Sequence, residues 1–373
     1  MKVLQLSCHF YPNVGGVETH LNDLIVALIK RGYEVVVLTY QPLTTKVNWQ
    51  AFEKSWNLTI LRIPWIPGFF YKFVSIPILE FLYLLPGLFL VTPIVIAFAN
   101  PNIIHAHGLV AGFIGVFWGR LFDKRVIVSA HSVYHFPQKG LYKEFAAWIF
   151  QNADFCLGLS KQAAKEIKSL GVPSEKVDNF TYWIDLKKFK KIEKNAKNSL
   201  GWKDKFIVLF VGRLIKEKGV LELLESAKRW DKSITLVIIG TGPLEDNIKY
   251  QISNIKDAQY LGKTDNDKLP LYYSGADILI VPSIHEEGFG RVILEALACG
   301  VPVIGSHLGA IPQALDETVG KLIDINPKNI KDAVEYLFTH PQKLKDLSKN
   351  ARKFAERRYS EKNAETIIKA YKV

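Results

Sequence analysis

Short apolar runs alternate with amphipathic helical stretches through the first half of this 373-residue chain, and the alternation starts afresh at residue 206. Runs such as KVLQLSC, YEVVVLTYQ and RVIVSAHS have no polar face, which suits strands covered on both sides. Between the first two, VGGVETHLNDLIVALIKRG repeats apolar residues at helical spacing and stops at Gly32. The second half opens with FIVLFVGR and continues through GVLELLESAKRW, ITLVIIG and DILIVPS. Strands alternating with helices predict an α/β chain of parallel sheets with helices on both faces. The length exceeds what one core usually serves, so two domains are expected. The apolar periodicity lapses into a Lys/Asn-rich stretch between 182 and 200, which places the division at 1–185 and 186–359. Ser160 and Ser360 are candidate helix N-caps, the latter for a closing helix at about 360–373.

Composition narrows the partners. Apolar residues make up 49%, enough for two cores, and the net charge is +12. That charge fits nucleic acid, an anionic membrane surface or phosphorylated substrates. The basic residues are scattered and follow no nucleic-acid motif, so nucleic acid is the partner the sequence disfavours. Cys8, Cys156 and Cys299 are odd in number, far apart and embedded in apolar runs, as for reduced buried thiols in a cytoplasmic protein. The N-terminus reads as a strand without the apolar core and cleavage site of a signal peptide. Residues 63–99 carry only Lys72 and Glu80 as charges. About 20 apolar residues can cross a bilayer, but Pro86, Gly87 and Pro93 interrupt this run. The expectation is therefore helices lying against the first domain. Three readings stay open for them: buried core or acceptor groove, monotopic contact with the inner face of a membrane, and a spanning helix.

The segment SIHEEGFGRVILEALACGVPVIGS holds the densest chemistry. Glu287 opens a Gly-Phe-Gly turn, and Glu295 lies two turns along the helix that follows. Gly288 and Gly290 let backbone N–H groups approach a ligand, a helix N-terminus favours negative charge, and carboxylates accept from sugar hydroxyls. The plainer reading is an acidic helix start with an unrelated Glu on its face. In VGRLIKEKG, Arg213 follows a strand and Lys218 precedes a glycine that begins a helix, a placement suited to a diphosphate. A solvated basic loop is the alternative. Gly15 and Gly16 lead from the first strand into a helix, where their N–H groups can meet a phosphate or an acceptor; a generic turn is the competing account. In GTGPLED, Gly240 and Gly242 suit a tight turn on the nucleotide side, and the third glycine of a dinucleotide fingerprint is missing. His9, His105, His107 and His131 fall at strand ends, where ligands of open α/β sheets gather. A zinc site at the H-x-H of 105 and 107 lacks any supporting Cys or carboxylate cluster.

These landmarks together resemble a known family. HFYPNVGGVETHL, IIHAHG at 103–108, VGRLIKEKG at 211–219, GTGPLED at 240–246 and the glutamate pair match, in order, the signature of retaining glycosyltransferases of family 4. The resemblance implies the GT-B fold: two Rossmann-like domains facing across a cleft, with the last helix returning to the first domain. It implies that Glu287 contacts the transferred sugar, and that the N–H groups of Gly288, Phe289 and Gly290 meet its hydroxyls or phosphate. Glu295 would take the ribose hydroxyls, while Arg213 and Lys218 neutralise the departing diphosphate. His131 occupies the family position near the donor sugar. No obligatory metal is implied, and the chain has no isolated D-x-D motif.

The chain departs from the family pattern at NFTYWIDLKKF, where Tyr182 and Trp183 replace small turn residues, which bears on the acceptor. The resulting expectation is transfer of a mannose- or glucose-type hexose from a UDP- or GDP-sugar to a glycan or lipid-linked acceptor. The alternative is a non-catalytic nucleotide-sugar-binding or membrane-associated scaffold of the same fold.

Overall fold

The computed structural model describes residues 1–13, 15–43, 47–66, 76–192, 196–286 and 289–372. The chain divides into two compact units: Met1–Tyr182 with the C-terminal residues from Lys362, and Trp183–Glu361.

In the first unit the strands are β1 (Lys2–Ser7), β2 (Glu34–Tyr40), β3 (Phe52–Ser55), β4 (Leu58–Ile63), β5 (Ile103–His107), β6 (Arg125–Ala130), β7 (Phe155–Gly158) and β8 (Val177–Asn179). They form one sheet in the order β3-β4-β2-β1-β5-β6-β7-β8. All pairings are parallel except the edge pair β3–β4. β1 lies in register with β5 through Val3↔Ile103 to Ser7↔His107, and β5 with β6 through Ile103↔Arg125 to His107↔Ser129. β1 and its neighbours are buried on both faces, which is why their sequences show no polar alternation. Helix Gly16–Lys30 buries His20, Leu21, Leu24, Ile25, Ala27 and Leu28, one stripe at helical spacing.

The second unit holds β9 (Phe206–Val211), β10 (Ile234–Ile239), β11 (Ala258–Tyr260), β12 (Ile278–Val281), β13 (Val303–Ser306) and β14 (Gly320–Ile323). They form an all-parallel sheet in the order β11-β10-β9-β12-β13-β14. In both sheets the order reverses beside the unit's first long strand, between β1 and β5 and between β9 and β12. Ligands of open α/β sheets bind outside the carboxyl ends of strands at such switch points.

The apolar segment differs from expectation. Ile63 ends β4, residues 67–75 lie outside the described residues, and Pro77–Ala99 forms one helix running through both Pro86 and Pro93. A proline inside a helix removes one N–H and crowds the preceding turn, so carbonyls near it need other donors. Core residues supply them. The Tyr40 hydroxyl accepts from the Leu88 N–H at 2.9 Å and donates to the Leu84 carbonyl at 2.7 Å, entering the ladder between them. The Trp65 indole donates to the Tyr83 carbonyl at 3.0 Å. The Trp118 indole donates at 2.9 Å to the Phe89 carbonyl, four residues before Pro93 and so without its usual helical donor. The helix buries Leu84, Leu88, Val95 and Ile96 and exposes Ile78, Leu82, Leu90, Ile94 and Phe98.

Local caps divide the same way. The Ser160 hydroxyl accepts from the Ala163 N–H, capping helix Lys161–Ser169 as expected. Ser360 does not cap the last helix: Ala364–Ala370 follows a 3-10 turn at Glu361–Asn363, with Asn363 at its N-cap position. All three cysteines are free and buried.

Candidate functional site

At the switch point of the second sheet, two loops are held to each other by their backbones. After β9 the chain passes exposed Arg213 and makes a 3-10 turn, Lys216–Lys218, closed by the Lys218 N–H on the Ile215 carbonyl at 3.1 Å. Gly219 follows with φ 65°, a left-handed conformation that suits glycine. A Cβ there would stand 1.7 Å from the Pro282 carbonyl oxygen in the loop after β12. The Ile284 N–H completes the join by donating to the Glu217 carbonyl at 3.0 Å. Lys218 is thus fixed against the segment that runs into residues 287–290.

Arg213 is braced from the other side. The Leu214 N–H donates to the Thr241 carbonyl at 2.9 Å, and the Leu244 N–H returns to the Leu214 carbonyl at 3.0 Å. A Cβ on Gly242 would lie 2.5 Å from that carbonyl oxygen. Gly242 therefore serves close packing of the GTGP loop on the Arg213 loop.

Glu287 and Gly288 lie outside the described residues. Gly290, with φ 66°, is the N-cap of helix Arg291–Ala298, and Phe289 is buried with its ring edge-on to Tyr359 at 5.9 Å. Glu295 lies on that helix and is only 3% exposed. Its Oε2 accepts from the Tyr273 hydroxyl at 2.8 Å, and its Oε1 is 3.6 Å from Arg291 Nε. Burial, then the neighbouring Glu295 charge, pushes the Tyr273 hydroxyl well above its ordinary pKa, so it stays a donor. The sequence offered Glu295 as a ligand group and gave no sign of Tyr273 or Arg291 as its supports.

In the first unit, β5 and β6 end in a cluster of imidazoles. His105 and His107 alternate along β5 and so share one face of the strand. His107 Nδ1 is 2.9 Å from His131 Nε2, and its Nε2 is 2.7 Å from Gln5 Oε1 on β1. His131 Nδ1 is 3.1 Å from the Tyr182 hydroxyl. Gln5 Nε2 donates to the Tyr371 hydroxyl at 3.1 Å; that hydroxyl is 2.7 Å from His105 Nδ1, whose Nε2 is 2.6 Å from Ser129 Oγ. His20, from the helix that Gly15 and Gly16 open, stacks on Tyr182 at 4.4 Å and lies 5.7 Å from His131, ring to ring.

Burial lowers the pKa of His131 to about 3, and burial together with the His131 charge lowers that of His105 to about 3. His107 is held well below its ordinary value, by burial first and then by His105, His131 and His20. All three are neutral at pH 7. The ring nitrogens of the H-x-H pair are engaged by Tyr371, Ser129, Gln5 and His131, which is a different use from metal ligation.

The Gly15 carbonyl, in extended backbone, accepts from the Thr19 N–H and hydroxyl, and Gly16 begins the helix. Among the described residues no atom lies within 4 Å of a Cβ placed on Gly16, so this helix start has room beside it. Sequence reasoning singled out His131 and missed Gln5, His20 and Tyr371. The one available signal was the alternation of two histidines on one strand.

Comparison with known proteins places these features in a family. The family model for Glycosyltransferase Family 4 matches residues 14–187, and that for Glycosyl transferases group 1 matches residues 192–354. A glycosyltransferase of Methanocaldococcus jannaschii is 25% identical over an alignment spanning 100% of this chain and 98% of its own. A GDP-mannose-dependent alpha-mannosyltransferase of Corynebacterium glutamicum is 27% identical over 87% of this chain and 77% of its own. Among solved structures, sucrose-phosphate synthase of Thermosynechococcus elongatus superposes with a TM-score of 0.84 at 23% identity, covering 100% of this chain and 98% of that one. That likeness fixes the fold as GT-B.

Proposed function

We propose a reaction for this chain from one premise: it belongs to the glycosyl transferases group 1, with a family 4 glycosyltransferase region ahead of the group 1 region. It is a glycosyltransferase. The reaction we infer is transfer of a hexose, of mannose or glucose type, from a UDP- or GDP-sugar to an acceptor with retention at the anomeric carbon. The observation that carries this reading is the join between Lys218 and the 282–286 segment, through Gly219 against Pro282 and Ile284 against Glu217. It supports a site at the β9/β12 switch point in which the Lys218 turn is held by its backbone to the segment leading toward Glu287.

In this reading Arg213 and Lys218 meet the charge that grows on the departing diphosphate. Fixed charges so placed stabilise a transition state without reorganisation. Glu287 and the N–H groups of Gly288, Phe289 and Gly290 hold the transferred sugar. Glu295, on the helix that follows, accepts from ribose through Oε1. By family position His131 is assigned to the transferred sugar, and Gly15 and Gly16 to the acceptor or a phosphate. The chemistry assigns no step to a metal or an organic cofactor. The relative whose name specifies GDP-mannose supports a nucleoside diphosphate sugar as donor.

The acceptor is lipid-linked or membrane-proximal. The apolar face of helix Pro77–Ala99 supports this, with Leu90 68% and Phe98 88% exposed. We place the protein in the cytoplasm, at the inner face of a membrane. Turnover of a panel of UDP- and GDP-sugars with lipid extract, comparing wild type with Glu287→Ala and Lys218→Ala, tests the reaction. Equal turnover in all three proteins removes the mechanism. Flotation with vesicles at low and high salt tests the membrane contact, and complete failure to float retires it.

A further inference from the structure

The hydrogen bonds linking Tyr182, His131, His107, Gln5 and Tyr371 have a common direction. The Gln5 amide oxygen faces His107, so His107 Nε2 carries the hydrogen. His107 is neutral, which leaves its Nδ1 bare to accept from His131 Nε2–H. His131 is neutral as well, so its own Nδ1 is bare and accepts from the Tyr182 hydroxyl. On the other side the Gln5 NH₂ donates to the Tyr371 hydroxyl. That hydroxyl is 2.7 Å from His105 Nδ1, whose Nε2 is 2.6 Å from Ser129 Oγ. From Tyr182 to Tyr371 every bond runs the same way. Turning the Gln5 amide over would reverse them all, and His131 would then present Nδ1–H.

The C-terminal segment holds the series at its Tyr182 end and at Gln5. Tyr371 takes the Gln5 amide, and the Asn363 amide donates to the Tyr182 carbonyl at 3.2 Å. Arg31 clamps Glu365 at 2.8 Å, and Arg125 reaches the Ala370 carbonyl at 3.1 Å.

We propose that Gln5, oriented by Tyr371 just after the C-terminal helix, is a positioning residue that fixes the tautomer of His131 with Nδ1 as a hydrogen-bond acceptor. The hydroxyl it accepts from is that of Tyr182 in this structure and that of a sugar during turnover. The effect on turnover rests on His131 acting at the transferred sugar; the tautomer itself does not. Buried polar groups that set the state of a neighbouring imidazole act through such fixed partners.

The test is two-bond ¹H–¹⁵N correlation on the full-length protein with ¹⁵N-labelled histidine, with His131 assigned by its loss in His131→Gln. The expected spectrum shows His131 and His107 as Nε2–H tautomers. In Tyr371→Phe and Gln5→Met, His131 becomes a mixture of tautomers. In both variants kcat falls roughly tenfold while the donor KM stays within about twofold, as for loss of a supporting hydrogen bond. An Nδ1–H tautomer at His131 in the wild type overturns the proposal, as does an unchanged tautomer in both variants. Should Gln5→Met fail to fold, the wild type and Tyr371→Phe still decide. Full turnover by His131→Gln would sink the functional role of His131 alone, because the tautomer is read without turnover.

Discussion

The Pro282 carbonyl oxygen occupies the place where Gly219 would carry a Cβ, 1.7 Å from that point, so the two loops meet backbone to backbone. Gly219→Ala must both separate them and hold a left-handed conformation, which costs a non-glycine residue about 1–2 kcal/mol. Lys218, one residue earlier, moves with the turn. On the proposed reaction, the expected result is a lower Tm together with loss of the thermal shift expected for a nucleotide sugar on wild type. An unaltered donor-induced shift in the folded variant would show that this join does not shape the donor site.

Removal of the Lys218 charge separates chemistry from folding. The turn is closed by backbone bonds, so Lys218→Ala should fold as wild type does. Loss of one fixed charge at a developing anion lowers kcat by about 10²–10³-fold. Arg213→Lys keeps the charge and loses the planar fork, and is expected to raise the donor KM. Steady-state kinetics on the donor found by screening would decide both.

Tyr273 and Glu295 form a buried pair at 2.8 Å. Tyr273→Phe keeps the ring and deletes the hydroxyl, leaving a buried carboxylate short of a donor. Such a loss costs about 1–3 kcal/mol. Chemical denaturation should show the midpoint falling with the slope unchanged. A midpoint equal to wild type would mean that Arg291 alone satisfies the carboxylate.

The buried imidazoles give stability a pH dependence of known sign. His131 and His105 have native pKa values lowered to about 3, and His9 to about 4, each with burial as the leading cause. Above the ordinary value near 6.5 these groups are neutral in both states, and their contribution to stability is fully present. As pH falls below about 6.5 the unfolded chain takes up protons that the native state refuses, at about 1.4 kcal/mol per group per pH unit. Unfolding free energy should therefore drop from pH 6.5 toward 4, and His105→Gln should reduce the slope by about one proton. Denaturation curves at intervals of pH would show it; an equal slope in the variant would refute it.

What was readable from sequence is what depends on neighbours along the chain. The two alternating runs, the Ser160 cap and the strand-end positions of Arg213 and His131 follow from local pattern, and the structure shows them. The edge strand β3, with its exposed FEKS, carries little apolar pattern to read. The supports of the site were hidden for another reason. Gln5 and Tyr371 are 366 residues apart, and no periodicity links them. The prolines of the apolar helix read as breaks because the groups that repair them come from Tyr40, Trp65 and Trp118.

Those repairs restrict what the apolar helix can become. Threading a bilayer would pull its carbonyls away from one phenol and two indoles, and hydrocarbon offers nothing to replace them. The helix is stitched to its sheet, so the apolar surface it leaves open is its outer edge, the strip of Ile78, Leu82, Leu90, Ile94 and Phe98.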